Sequence, residues 1–212
     1  VTSPAEEIVS LYERHAAAWD RSRDSHRFIE AAWMKRFEAL LPAGSTVLDI
    51  GCGSGRPIAQ HLIENGFQIV GIDSSQTLIS TCRARFPDHR WIVADMRTLS
   101  LDSTFQGLIA WNSFFHLSHE HQRAMFAIFA EHAAPGAALI FTTGTEHGEA
   151  IGSLEGERLY HASLSTEEYR KLLESHGFRI VRHEIEDPNC GGHTIWLARK
   201  DASTDSPRRK QR

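Results

Sequence analysis

Cysteine is scarce in this chain. Cys52, Cys82 and Cys190 are the only three among 212 residues, without the paired spacing of a zinc site or a disulfide framework. Reduced thiols in a cytoplasmic setting are therefore expected, and no metal. No apolar run is long enough to cross a bilayer and no leader-peptide pattern opens the chain, so no membrane partner is expected. A basic surplus is missing too. The 23 Lys and Arg stand against 27 Asp and Glu, a formal net charge of −4, with both signs interspersed. Such a surface gives a polyanion no footprint and argues against nucleic acid as partner. The one basic cluster, Arg208-Arg209-Lys210-Gln211-Arg212, closes a polar stretch and reads as part of a disordered tail over residues 201–212. Internal repeats are lacking as well. The length suits one large α/β domain over residues 1–200, with core enough for one domain but not for two.

What is present begins with Val47-Leu48-Asp49-Ile50-Gly51-Cys52-Gly53-Ser54-Gly55. It reads as a buried strand, a carboxylate near its end, and a loop with glycine at alternate positions. Glycine lets the backbone turn sharply and approach a ligand closely, because no Cβ intervenes. The dinucleotide fingerprint G-x-G-x-x-G would place its third glycine at Arg56, which is wrong for close helix–strand packing. The spacing here is D-x-G-x-G-x-G. A carboxylate so near the loop repels a pyrophosphate but suits a cationic group.

Two further runs end in acids. Phe67-Gln68-Ile69-Val70-Gly71-Ile72-Asp73 is strand-like, and Asp73 lies about 20 residues beyond the loop, the separation of a ribose-binding carboxylate. Ser74 follows it. Arg90-Trp91-Ile92-Val93-Ala94-Asp95-Met96 is the third run; Asp95 is placed to accept from an adenine amine and Met96 to pack on the purine. Each acid alone reads equally well as a helix cap or turn residue. Three at the ends of successive strands point to one ligand carrying a nucleoside and an amine, and S-adenosylmethionine is such a ligand.

On VLDIGCGSG, GIDSS and VADMR, with the strand Gly107-Leu108-Ile109-Ala110-Trp111-Asn112, the chain resembles the class I S-adenosylmethionine-dependent methyltransferases over roughly residues 45–200. The resemblance implies an α/β, Rossmann-like fold: a seven-stranded, mostly parallel sheet with one antiparallel edge strand and helices on both faces. It implies S-adenosyl-L-methionine as cofactor and S-adenosyl-L-homocysteine as product. Asp49 with Gly51, Cys52, Gly53 and Gly55 would hold the methionine end, Asp73 and Ser74 the ribose, and Asp95 with Met96 the adenine. Residues 111–116, from Trp111 to His116, would border the transferring methyl group.

The punctuation organises the chain consistently with this. Helical periodicity runs over residues 4–18, with Ile8, Leu11, Tyr12 and His15 on one face, and a second helix over about 25–41. A helix ends at Asn65-Gly66, Ser74-Ser75 caps the next, and Pro135-Gly136 turns into a strand over 138–143. Ser165 with Glu168 forms a capping box. Residues 179–185 and 194–199 read as a closing pair of strands.

Two segments outside the cofactor core are expected to choose the acceptor. Residues 1–43 form a helical lid, in which Tyr12 and Trp19 either face the sulfonium through cation–π contact or pack the helices onto the sheet; Trp33 is expected to pack. Residues 144–163 form a polar insertion with little periodicity, read as a substrate-side loop that includes Tyr160. His116, near the methyl by the resemblance, is a candidate base for a hydroxyl or amine acceptor, with Tyr160 and His193 as further catalytic candidates. His116, His119 and His121 lie close in sequence but lack a closed ligand set for a metal.

The post-strand segment Asn112-Ser113-Phe114-Phe115 lacks the prolines of methyltransferases that act on base or glutamine nitrogens. A small organic acceptor methylated on oxygen or nitrogen by in-line displacement is the leading expectation, by a monomer or homodimer. A non-catalytic S-adenosylmethionine-binding sensor or partner subunit stays open, and a nicotinamide oxidoreductase is disfavoured by Arg56.

Overall fold

The computed structural model describes residues 4–25 and 28–202. Two helices, α1 (Pro4–Ser25) and α2 (Ala31–Glu38), come first. They are followed by β1 (Thr46–Ile50), α3 (Ile58–Glu64), β2 (Gln68–Asp73), α4 (Gln76–Arg85), β3 (Arg90–Val93) and β4 (Phe105–Ala110). Then come α5 (His119–His132), β5 (Ala133–Thr143), β6 (Gly148–Leu154), β7 (Glu157–Ser163), α6 (Thr166–Ser175), β8 (Phe178–Asp187) and β9 (His193–Lys200).

Seven of these strands form one sheet in the order β3-β2-β1-β4-β5-β9-β8. β1 pairs in parallel with β2 and β4, β2 with β3, and β4 with β5. β9 runs antiparallel between β5 and β8, so antiparallel pairing is confined to that end of the sheet. This is the seven-stranded, mostly parallel sheet that the sequence leads one to expect. The chain winds outward from β1 to β3 and then sets β4 on the other side of β1. Ligands of such sheets bind at that switch point, outside the carboxyl ends of the strands.

Side-chain alternation divides the core between the two faces. Leu48, Ile50, Ile72, Leu108 and Phe141 pack with Phe126 and Phe129 of α5 and Tyr169 and Leu173 of α6. Val47, Ile69, Ile109 and Ile140 pack on the opposite face with Trp33 and Phe37 of α2, Leu62 of α3 and Ile79 of α4. Phe114, fully buried just after β4, touches the rings of Phe126, Phe129, Phe141 and Tyr169 at centroid separations of 5.6–6.1 Å. Burying a ring of that size stabilises by about 1.5–3 kcal/mol, and its ring contacts add to this. The chain leaving β4 is thus anchored firmly, which fixes the position of His116 two residues on.

Several expected boundaries move. α1 continues to Ser25 rather than stopping near residue 18, and the second helix is short, Ala31–Glu38. β5 begins at Ala133, before Pro135-Gly136, with Gly136 at φ 78° and a register irregularity opposite residues 105–107. The polar insertion is not a loop. Residues 148–163 form the antiparallel hairpin β6–β7, closed by Glu155 (φ 50°) and Gly156 (φ 83°). Positive φ at both central residues is the geometry of a tight two-residue hairpin turn, which glycine at the second place favours. Of the expected tail, residues 201 and 202 lack regular structure and residues 203–212 lie outside the described residues.

Candidate active site

A cleft enclosing about 1040 Å³, part of it open to solvent, lies at the carboxyl ends of β1, β2 and β4 with α1 across it. Its floor is the loop after β1. Gly51, Gly53 and Gly55 all have positive φ, at 77°, 56° and 78°. A Cβ on Gly51 would stand 2.3 Å from Cβ of Ser113, and one on Gly53 would stand 3.3 Å from Nε1 of Trp19. The segment after β4 thus leaves no room for a Cβ at Gly51, while Trp19 of α1 packs tightly over Gly53. Gly55 faces Phe86 and Cys82 and stays outside the cleft lining. Ser113 clamps the same corner, its Oγ donating to the Ile50 carbonyl at 2.7 Å.

Asp49 and Asp73 are the acids of the floor. Asp49 is only 4% exposed, and burial, with the neighbouring Asp73 charge second, pushes its carboxyl up to about 7. Asp73 accepts from the Gly53 N–H through Oδ2 and from the Ser75 N–H through Oδ1, both at 2.9 Å. Burial raises its carboxyl while those backbone donors oppose the shift. Two desolvated carboxylates side by side are costly unless a cation or several donors meet them. Such a pair suits a ligand with positive charge and hydroxyl donors.

Asp95 and Met96 line the far end of the cleft. Asp95 is held by Arg97, whose Nε and Nη2 reach Oδ2 at 2.9 and 2.6 Å. Burial pushes this carboxyl up, but Arg97 outweighs it and holds Asp95 below the usual range. A carboxylate has about four lone-pair sites, so acceptor capacity remains for an amine.

The roof is α1. Ile8, Tyr12, Trp19 and Arg23 lie at steps of four, seven and four, which places them on one helix face, and all four line the cleft. Tyr12 and Trp19 meet edge to face at 5.3 Å. On one flank Glu13 accepts from Ser75 Oγ at 2.5 Å and Thr77 Oγ1 at 2.6 Å, and Asp20 pairs with Arg85 at 2.6 Å. On the other, Arg14 and His15 reach Glu157 of β7 at 2.5 and 2.6 Å. α1 is thus fastened at both sides of the cleft it crosses.

His116 and Tyr12 meet over the cleft. His116 Nδ1 lies 2.8 Å from the Tyr160 carbonyl, which can only accept, so Nδ1 carries the proton. Nε2 is then an acceptor, and the Tyr12 hydroxyl donates to it at 2.9 Å. Burial above all pulls the His116 imidazole down to about 4, so it is neutral at physiological pH. Burial likewise raises Tyr12 above the usual phenol range. Together they present the Tyr12 oxygen lone pairs while holding its proton back.

Of the residues expected from sequence, Asp49, Gly51, Cys52, Gly53, Asp73, Ser74, Asp95, Met96, Trp111, Tyr12, Trp19 and His116 all line this one cleft. Tyr160 and His193 are not brought to it. The Tyr160 hydroxyl donates to Glu149 at 2.8 Å, and the residue serves His116 through its backbone carbonyl. His193 packs beside Trp111 at 5.8 Å with Nδ1 on the Cys190 carbonyl. His119 stacks on His147 at 4.4 Å, away from His116, and among the described residues no three His, Cys, Asp or Glu converge as a metal site. No described helix is long and apolar enough to cross a membrane. Arg23, in the expected lid, and Asn112 and Ser113, within the expected 111–116 stretch, line the cleft too, whereas Val9, Ile58, Leu78 and Leu117 are lining residues that sequence reasoning did not assign.

Known proteins resemble this chain in sequence and in fold. A family model described as a methyltransferase domain matches residues 47–136. The chain is 30% identical over 102 residues, 47% of its length, to trans-aconitate 2-methyltransferase of Variovorax paradoxus (strain S110). It is 30% identical over 101 residues to dTDP-3-amino-3,4,6-trideoxy-alpha-D-glucopyranose N,N-dimethyltransferase of Streptomyces venezuelae, again 47% of its length. These matches span 38% and 42% of those relatives' own lengths. Among solved structures, the 1,6-didemethyltoxoflavin-N1-methyltransferase of Burkholderia thailandensis, with S-adenosylhomocysteine bound, superposes with a TM-score of 0.72 at 18% identity. That likeness covers 95% of this chain and 92% of that one.

Proposed function

Because the chain belongs to the class I S-adenosylmethionine-dependent methyltransferases, we propose that it transfers a methyl group to an oxygen or nitrogen of a small organic acceptor by in-line displacement. The observation that carries this reading is the convergence of Asp49, Asp73, Asp95 and the glycine loop on one cleft beneath Tyr12 and Trp19. The residues present fit the cofactor. Asp49, buried without a cationic partner among the described residues, suits its ammonium group; Asp73 suits the ribose hydroxyls; Asp95 and Met96 suit the adenine. When bound there, S-adenosylmethionine supplies a sulfonium-activated methyl group with a neutral leaving group.

The protein's own work is alignment and exclusion of water, which can supply much of the rate of such a displacement. Tyr12 and Trp19 close the roof and offer ring faces to a cation. The Tyr12 oxygen, its proton committed to His116, accepts a hydrogen bond from the acceptor's O–H or N–H and orients the nucleophile. His116 acts here as the group that positions Tyr12. As a base it is weak, because its one lone pair is occupied and its burial opposes the charged form. Such a site suits acceptors whose nucleophilic lone pair is already free. Tyr160 holds the His116 tautomer, and His193 supports Trp111.

Small acceptors fit the acidic net balance of the chain and the names of the two similar proteins above, each a small organic compound. The test is a methyl-label transfer from S-adenosylmethionine into a cell extract, separated by size. Label in the small-molecule fraction supports the reading. Label in protein or RNA overturns the acceptor class, and intact binding without label favours a non-catalytic binder.

A further inference from the structure

Asn112, directly after β4, stands with φ 49° in the left-handed region. Asparagine tolerates that conformation better than most residues, yet glycine would satisfy it without strain. What asparagine adds is an amide, and the structure fixes that amide. The backbone N–H of Asn112 donates to Thr142 Oγ1 at 2.9 Å. The Thr142 hydroxyl, fully buried in β5, donates in turn to Asn112 Oδ1 at 3.2 Å. With Oδ1 engaged by Thr142, the amide nitrogen has no protein partner among the described residues, and Asn112 lines the cleft beside Ser113 and His116.

We infer that Asn112 is the acceptor-orienting donor of this site: its Nδ2 hydrogens, aimed by Thr142, hold an oxygen lone pair of the acceptor next to the atom that is methylated. The inference rests on the methyl-transfer reading and deepens it. It assigns the acceptor a class, a compound bearing a hydroxyl, carbonyl or carboxylate oxygen adjacent to its nucleophile. Tyr12 Oη accepts a hydrogen bond on one side and Asn112 Nδ2 donates one on the other, so the pair reads both polarities of such a group. Thr142 is a positioning residue, since it acts only through the Asn112 amide.

The test uses four variants of the full chain: Asn112→Gly, which keeps the left-handed backbone and deletes the amide; Asn112→Asp, which replaces donors with an acceptor; Thr142→Val; and Thr142→Ser. S-adenosylhomocysteine binding is measured by calorimetry, and acceptor KM with the compound labelled in the extract assay, once its mass identifies it. The expected result is an acceptor KM raised about tenfold in Asn112→Gly, more in Asn112→Asp, and less in Thr142→Val. Thr142→Ser restores it, and S-adenosylhomocysteine affinity stays within about twofold throughout. Weakened S-adenosylhomocysteine binding in Asn112→Gly with unchanged acceptor KM would overturn the inference and make Asn112 a cofactor residue. An unchanged KM in every variant, or a product with no oxygen adjacent to its methylated atom, would overturn it outright. Absence of label with the unaltered protein would instead overturn the methyl-transfer reading beneath it.

Discussion

The Tyr12 hydroxyl, on the helix that roofs the cleft, donates to Nε2 of His116 across 2.9 Å, joining residues 104 positions apart. Because the Tyr160 carbonyl fixes the imidazole tautomer, the direction of that bond is settled by elimination. Tyr12→Phe keeps the ring and removes the hydroxyl. It is expected to leave S-adenosylmethionine binding within about twofold while lowering turnover about tenfold. Tyr12→Ala should weaken S-adenosylmethionine more than S-adenosylhomocysteine, which lacks the sulfonium charge, by about 0.5–2 kcal/mol, if the ring faces the sulfonium. Equal losses for both ligands would remove the cation–π role.

His116 should remain neutral far below the ordinary histidine range. Its folded value of about 4 lies below the unfolded one, so its contribution to stability is present above pH ~6.5 and is lost as pH falls toward 4. A nitrogen-15 shift titration should show the Nδ1–H tautomer unchanged from pH 8 to 5. An imidazolium signal at pH 6 would contradict the tautomer and the role drawn from it.

Asp49 carries the opposite sign. Its folded value of about 7 lies above the unfolded one, so the carboxylate costs the cofactor-free protein stability as pH rises from ~4 through 7. An ammonium-bearing ligand reverses this by favouring the charged form. S-adenosylhomocysteine affinity is therefore expected to fall about tenfold from pH 8 to pH 6, and Asp49→Asn should abolish that dependence while binding weakly at both. The same variant should raise the Tm of the free protein, by about 5 °C at pH 8. A lower Tm would show that the buried carboxylate is satisfied by the protein itself.

Gly51 and Gly66 share positive φ, at 77° and 85°, but differ in surroundings. A Cβ on Gly66 meets nothing within 4 Å, whereas one on Gly51 meets Ser113 at 2.3 Å. Gly66→Ala should cost only left-handed strain, about 1–2 kcal/mol. Gly51→Ala should cost more and also reduce S-adenosylhomocysteine binding, read by Tm and calorimetry. Equal costs would mean that the loop after β1 yields freely.

Asp73→Ala should weaken S-adenosylhomocysteine by about 1–3 kcal/mol through loss of the ribose bonds. An unchanged dissociation constant would sink the assignment.

The acids and glycine loop of the cleft floor were legible because they are local in sequence. Acids at the ends of β1, β2 and β3 sit beside hydrophobic runs and a glycine loop, and a parallel sheet brings such ends together. The contacts under α1 were not, because they join distant segments. Tyr12 finds His116, Thr142 finds Asn112, and Arg14 finds Glu157 only through tertiary packing. The β6–β7 hairpin escaped because its turn is Glu155-Gly156, without the asparagine or aspartate that usually announces one, and because its strands carry few apolar residues. Tyr160 drew notice as a polar-loop aromatic. In a strand, its hydroxyl points to Glu149 and its carbonyl to His116.

The account is tested most directly by an experimental structure of the chain with S-adenosylhomocysteine. It predicts the ligand in the cleft between the glycine loop and α1, with ribose hydroxyls on Asp73, the ammonium at Asp49 and the adenine against Asp95 and Met96. A ligand bound elsewhere, or no binding at millimolar concentration, would contradict it.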